Sequence, residues 1–190
     1  MPLLGTLMGF SLLFGSATFT KVNVVASTTA VASAQPSYTV TVTAYNAVVG
    51  QTDDNPLETA SGAYSNPEIV AARSQDLRDK MPFGTIVELD GSGIRPGDSC
   101  GFGVVAPRIG YRVIADTMHA RYTDRIDVLF DTDGMYKTSD RGMVNAAHIL
   151  GICKGVTVRV VGHVDINHLP KTQSELAKLV ENPSVTLAAK

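Results

Sequence analysis

Tryptophan is missing from the 190-residue chain, and aromatic residues of all kinds make up only 6% of it. Any flat surface for a ligand ring must therefore come from its six tyrosines or six phenylalanines. Cysteine is nearly missing too. Cys100 and Cys153 stand 53 positions apart with no C-x-x-C spacing, which argues against a zinc ribbon or a thioredoxin-type redox site. A basic surplus is also lacking: 16 Lys and Arg against 18 Asp and Glu give a formal net charge of −2 with scattered cations, so nucleic acid is not an expected partner.

Charge is scarcest at the N-terminus, where the first 34 residues carry one charged side chain, Lys21, and the run Leu3 to Phe19 carries none. That run is broken by Gly5, Gly9 and Gly15 and lies at the short end of the roughly 17–25 residues a spanning helix needs. Ala32-Ser33-Ala34 before Gln35 fits the small-residue pattern of signal cleavage, so residues 1–34 read as an export signal. A retained N-terminal anchor is the alternative, and only then is a membrane a partner. Cleavage leaves 15 basic and 18 acidic residues, a net of −3. Export into an oxidising compartment lets Cys100 and Cys153 pair, and closing so long a loop stabilises by about 4 kcal/mol in the chain-entropy model. Two buried free thiols are the alternative.

What is present from Gln35 onward is mainly β. Ser37 to Tyr45 alternates Val with Thr or Tyr as a half-buried strand does. Asn46 to Pro67 is rich in turn residues and reads as a long surface excursion, followed by the short apolar run Ile69 to Ala72. Asp76 to Lys80 reads as one helical turn, Thr85 to Leu89 as a strand, and the glycine-rich Gly91 to Gly110, with Pro96 and Pro107, as a loop insertion. Met143 to Leu150 has the composition of a short helix, Val156 to Val161 of the last strand. Ser174 to Glu181 reads as an amphipathic helix with a Thr172–Glu175 capping box and Pro183 beyond its end. Short strands with long connections imply a small, closed or nearly closed barrel over residues 35–168, with a helix-bearing tail over 169–190.

Two acids stand out. Asp116 lies in the apolar run Tyr111 to Thr117 and Asp127 in Ile126 to Phe130, eleven positions later. Simple alternation puts Asp116 on one face with Ile114, and Asp127 with Leu129. Aspartate is rarely buried unless it is paired or working. A carboxyl among Ile126, Val128 and Leu129 is set for a raised pKa, which suits an acid that protonates a leaving oxygen. The structural readings are that Asp116 caps the loop after it and that Asp127 pairs with Arg125 or Arg112.

The order Thr43-Ala44-Tyr45, Thr59-Ala60-Ser61-Gly62, Met81-Pro82-Phe83-Gly84-Thr85, Ala115-Asp116-Thr117 and Arg125-Ile126-Asp127 resembles the three-aspartate (3D) domain, roughly from Val40 to Gly162. That family shares a double-psi β-barrel with certain murein lytic transglycosylases. The resemblance implies a six-stranded double-psi barrel with long loops and a short C-terminal helix. It further implies peptidoglycan glycan strands as substrate, cleavage of the MurNAc–GlcNAc bond to 1,6-anhydro products, and location in the periplasm or cell envelope of a bacterium. Asp127 matches the catalytic acid/base and Asp116 the second aspartate. Arg73 stands nearest the position of the third, with Asp76 as the neighbouring substitute. Where the family has D-T-G-G, this chain has Asp116-Thr117-Met118-His119.

The remaining candidates for substrate contact are Tyr45 and Tyr122 as stacking surfaces, Thr59 and Ser61 in the second motif, and Met118, His119 and Arg121 in the loop. No cofactor is expected. His163, Asp165 and His168 match no metal-ligand spacing, and Asp131-Thr132-Asp133-Gly134 lacks the further ligands of a calcium loop. A barrel that binds cell-wall glycan without cutting it is the second functional reading. An aspartic-protease-like role is disfavoured because Met118 follows the Asp-Thr pair and no second such pair lies in a matching setting.

Overall fold

The computed structural model describes residues 35–182. The expected export segment, its cleavage site and Pro183 lie outside the described residues. Eight strands run in chain order: β1 (Ser37–Asn46), β2 (Val70–Arg73), β3 (Thr85–Asp90), β4 (Tyr111–Thr117), β5 (Arg125–Phe130), β6 (Met135–Thr138), β7 (Gly142–Asn145) and β8 (Cys153–His163). Six of them close into a barrel in the order β1-β5-β2-β4-β3-β8, while β6 and β7 form a separate hairpin.

The order explains the shape. β1 and β2 are joined by the 47–69 excursion, yet β5 lies between them, parallel to β1 and antiparallel to β2. β4 and β5 are joined by the 118–124 loop, yet β2 lies between them, parallel to β4. Each loop-connected pair thus has one strand of the other pair inserted, which is the double-psi arrangement. The architecture is the mainly β, six-stranded barrel that the sequence implies.

Both faces of the central strands are covered. Ile114 and Val128 pack into one apolar cluster with Phe102, Val105 and Leu150, whereas Val113, Ala115 and Leu129 pack into a second with Ile69 and Leu176. Strands buried on both sides read as nearly continuous apolar runs, as β4 and β5 do.

Two expectations are corrected. Gly91 to Gly110 is not a plain loop: it contains α1 (Phe102–Ile109), whose Phe102, Val105 and Ile109 are buried. Their helical spacing is short, and Gly and Pro on both sides and Pro107 inside masked it. Met143 to Leu150 divides into the end of β7 and α2 (Ala146–Leu150), because Asn145 leaves the strand and caps the helix by accepting from the Ala147 N–H at 2.9 Å. The last helix, α3 (Gln173–Glu181), follows the predicted pattern. Thr172 accepts from the Glu175 N–H at 3.2 Å, Leu176 is fully buried, and the Gln173 side chain bonds both the N–H and the carbonyl of Tyr111, docking the helix on β4. Cys100 and Cys153 are joined in a disulfide, fastening the 91–110 insertion to the start of β8.

Candidate active site

β2 is the strand on which the site is assembled. Ala72 faces Asp116 across the parallel pairing with β4 and Asp127 across the antiparallel pairing with β5, so the two acids flank one small residue. Residues directly opposite in a sheet present their side chains on the same face. The alternation that would put Asp116 with Ile114 is broken: Ala71 faces Ile114, but Ala72 faces Asp116, and the register slips at Ala115. That β-bulge turns Asp116 away from the Ile114 face and onto the face of Asp127. Asp127 does share its face with Leu129, and Thr43, its register partner on β1, lies on that face with Tyr45.

The acids have different surroundings. Asp116 has both carboxyl oxygens engaged: Oδ2 accepts from the Tyr45 hydroxyl at 2.8 Å, and Oδ1 accepts from the Ala60 N–H at 2.9 Å and the Thr117 N–H at 2.8 Å. Asp127 has a buried Oδ1 with no hydrogen-bond partner. Burial pushes its carboxyl up to about 6, with the Asp116 charge adding to the shift and the Thr43 hydroxyl and Arg125 opposing it. Burial, reinforced by the Asp116 carboxylate, likewise pushes the Tyr45 phenol far above its usual value, so it acts as a donor to Asp116. Neither acid forms an ion pair among the described residues, which removes the pairing of Asp127 with Arg125 or Arg112. The Arg112 guanidinium is instead fully buried and donates to backbone carbonyls, those of Ile109, Pro67 and Leu129 included.

Asp116 and Asp127 open into one cleft of about 690 Å³, which Tyr45, Met118, His119, Arg121 and Tyr122 also line. Three other candidates stand outside its lining. Thr59 is buried and bonds Ser61 side chain to side chain at 2.9 Å, while the Ser61 N–H donates to the Ala115 carbonyl at 3.2 Å. Both brace the turn that aims the Ala60 N–H at Asp116. Asp76 accepts from the Asp124 N–H at 3.0 Å and so anchors the 118–124 loop; burial alone would raise its pKa, but this bond and the Ser74 side chain bring it below the usual range. Arg73 is buried, donates through Nε to the Met81 carbonyl at 2.8 Å and lies 5.0 Å from the Phe83 ring centre.

Sequence reasoning named Thr43 and Ala60 only within the motif order, and it missed Asp53 and Glu58 in the cleft lining. Thr43 was legible as the residue two before Tyr45 on one strand face. Glu58 and Ala60 reach the cleft only because the 47–69 excursion folds back over it. Among the described residues no group of three or more His, Cys, Asp or Glu is placed to hold a metal ion. His168 bonds Asp165 at 2.8 Å, and His163 bonds the Phe83 carbonyl at 3.1 Å. No protein-family model matches the chain, and no curated protein matches it.

Proposed function

We propose that the protein is an exported lytic transglycosylase of the three-aspartate type, cleaving the MurNAc–GlcNAc bond of peptidoglycan. The observation that carries the reading is the division of labour between two carboxyls flanking Ala72 in one cleft. Asp127 is half-buried with its Oδ1 enclosed, and its carboxyl is pushed up to about 6, while Asp116 is fixed by three donors.

Asp127 gives its proton to the glycosidic oxygen as the C1–O bond breaks. The carboxylate then takes the proton of the C6 hydroxyl on the same muramic acid, whose oxygen bonds C1 and closes the 1,6-anhydro ring. Water is not consumed, and Asp127 ends protonated as it began. One acid/base suffices for this route, whereas hydrolysis calls for a second carboxylate free to activate water or attack. Asp116, with both oxygens engaged, is poorly suited to that second role. Its charge holds the proton on Asp127 and favours the positive charge that develops on the sugar.

Export rests on the composition of residues 1–34 and agrees with the Cys100–Cys153 disulfide, a bond characteristic of oxidising compartments such as the periplasm or cell envelope. Digestion of purified sacculi followed by mass analysis tests the reading. Anhydro-muropeptides are expected from the wild-type protein and none from Asp127→Asn. Hydrolytic products alone would sink the mechanism, and full activity in Asp127→Asn would sink the assignment.

One observation favours the second reading, a barrel that binds glycan without cutting it. Arg73 stands nearest the position where the resemblance calls for a third aspartate, and its guanidinium is committed to Met81 and Phe83. Saturable binding to sacculi with no released fragment would establish that reading instead.

A further inference from the structure

Arg121 and Tyr122 line the cleft together with the two aspartates, and Arg125 lies beside Tyr122 outside that lining. Two guanidinium groups lie against the Tyr122 ring, Arg121 and Arg125 each 4.7 Å from its centre. Arg121 also donates to the Tyr122 hydroxyl at 2.7 Å. Two like charges on one ring repel each other, and neither arginine has a carboxylate partner among the described residues. The Arg125 Nε is buried and makes no hydrogen bond.

The arrangement is built into the backbone. The Arg125 N–H donates to the Ser74 hydroxyl at 3.0 Å, the Asp124 N–H to Asp76 at 3.0 Å, and the Arg121 N–H to the His119 Nδ1 at 3.2 Å. Asp124 itself takes a positive φ of 47°, which sets the direction in which the segment enters β5. The backbone that carries both arginines is thus held in place by the protein's own bonds.

We propose that Arg121, with the charge of Arg125 reinforcing it from beside Tyr122, forms a subsite for a carboxylate carried by the glycan, so that the cleft selects an acidic polysaccharide over a neutral one. This deepens the transglycosylase reading and rests on it for the identity of the glycan. The aspartates face the sugar carbon where positive charge develops, and Arg121 takes the negative substituent, so one orientation of the strand satisfies both. A guanidinium fork offers paired donors to a carboxylate, and a second cation beside it strengthens the contact. In peptidoglycan the carboxylate has two sources, the lactyl ether once the peptide has been removed and the peptide stem while it is attached.

Binding in the Asp127→Asn background tests this without cleavage. Retention is measured on peptide-bearing strands, on strands stripped of peptide, and on neutral N-acetylglucosamine polymers. Acidic strands are expected to bind at least about tenfold more tightly than the neutral polymer, the scale of one charge-assisted contact. Arg121→Gln should remove most of that ratio, and Arg121→Lys should keep part of it. Arg121 is exposed and in a loop, so these variants retain the fold; Arg125→Lys serves as a second probe of the pair. Retention of the preference on stripped strands assigns it to the lactyl carboxylate, and its loss there assigns it to the stem. Equal binding of neutral and acidic strands, or an unchanged ratio in Arg121→Gln, overturns the subsite. An Arg121-dependent preference in a protein that releases no anhydro products would remove the lyase reading and leave the subsite standing.

Discussion

Asp127 makes a prediction that separates its chemistry from its effect on stability. Its carboxyl is pushed from 3.8 to about 6, chiefly by burial, so the folded state favours the neutral form. At a pH below 3.8 the group is neutral whether the chain is folded or unfolded, and the shift then contributes its full stabilisation relative to the ionised state. As pH rises through about 6 the folded protein must ionise a half-buried acid, and that contribution is lost. The shift corresponds to about 2 kcal/mol once the partial exposure of the group is allowed for. Asp127→Asn removes the titration. It is expected to melt about 5 °C above the wild type at pH 8 and to lose that advantage at pH 4, as read by thermal denaturation. Activity shows the opposite sign of benefit. The wild-type rate should fall as pH rises above about 6 because the proton donor is lost, and Asp127→Asn should lie at least about a hundredfold below it throughout. Tyr45→Phe removes one donor from Asp116 without opening a cavity. A stability loss of about 1 kcal/mol and a roughly tenfold drop in turnover are expected, measurable by melting and by fragment release from sacculi.

At the level of elements, most strands were legible and the device that unites the acids was not. β1, β3, β4 and β5 carry alternating or continuous apolar runs that mark strands directly. The bulge at Ala115 carries no comparable signal, because Ala suits a regular strand equally well; only the pairing with β2 exposes the slip. The same limit applied to α1, whose eight residues are too few for a strong helical period amid Gly and Pro. Arg112 makes the joint between that helix and the barrel. It bonds the Arg108 and Ile109 carbonyls at the end of α1, the Pro67 carbonyl before β2 and the Leu129 carbonyl in β5, and burial lowers its pKa to about 9. A sequence reader sees only a cation in a strand and pairs it with an acid. Arg112→Met would fill much of the volume but leave those carbonyls buried and unpaired. A destabilisation of about 3 kcal/mol or more is expected by denaturant unfolding, with no rescue at low or high salt because no ion pair is involved.

At the level of the whole molecule, the barrel class was readable from short strands and long connections, whereas the strand order was not. Parallel pairing of β1 with β5 brings Thr43 beside Asp127 across 84 positions of chain, and no local periodicity encodes such a contact. β8 completes the circle by pairing with both β1 and β3, and the disulfide from Cys153 at its first residue holds the 91–110 insertion against it. This bond lies outside the aspartate cleft, since neither cysteine lines it. Its removal should therefore act on global stability and leave the chemistry alone. In the chain-entropy model a 53-residue separation is worth about 4 kcal/mol, and measured values usually fall below that. The double variant Cys100→Ala, Cys153→Ala is expected to melt about 10 °C lower, with turnover on sacculi at 20 °C within about twofold of the wild type. A large loss of turnover at a temperature where circular dichroism shows the variant folded would mean that the insertion steers the cleft, and would overturn the separation of scaffold from site.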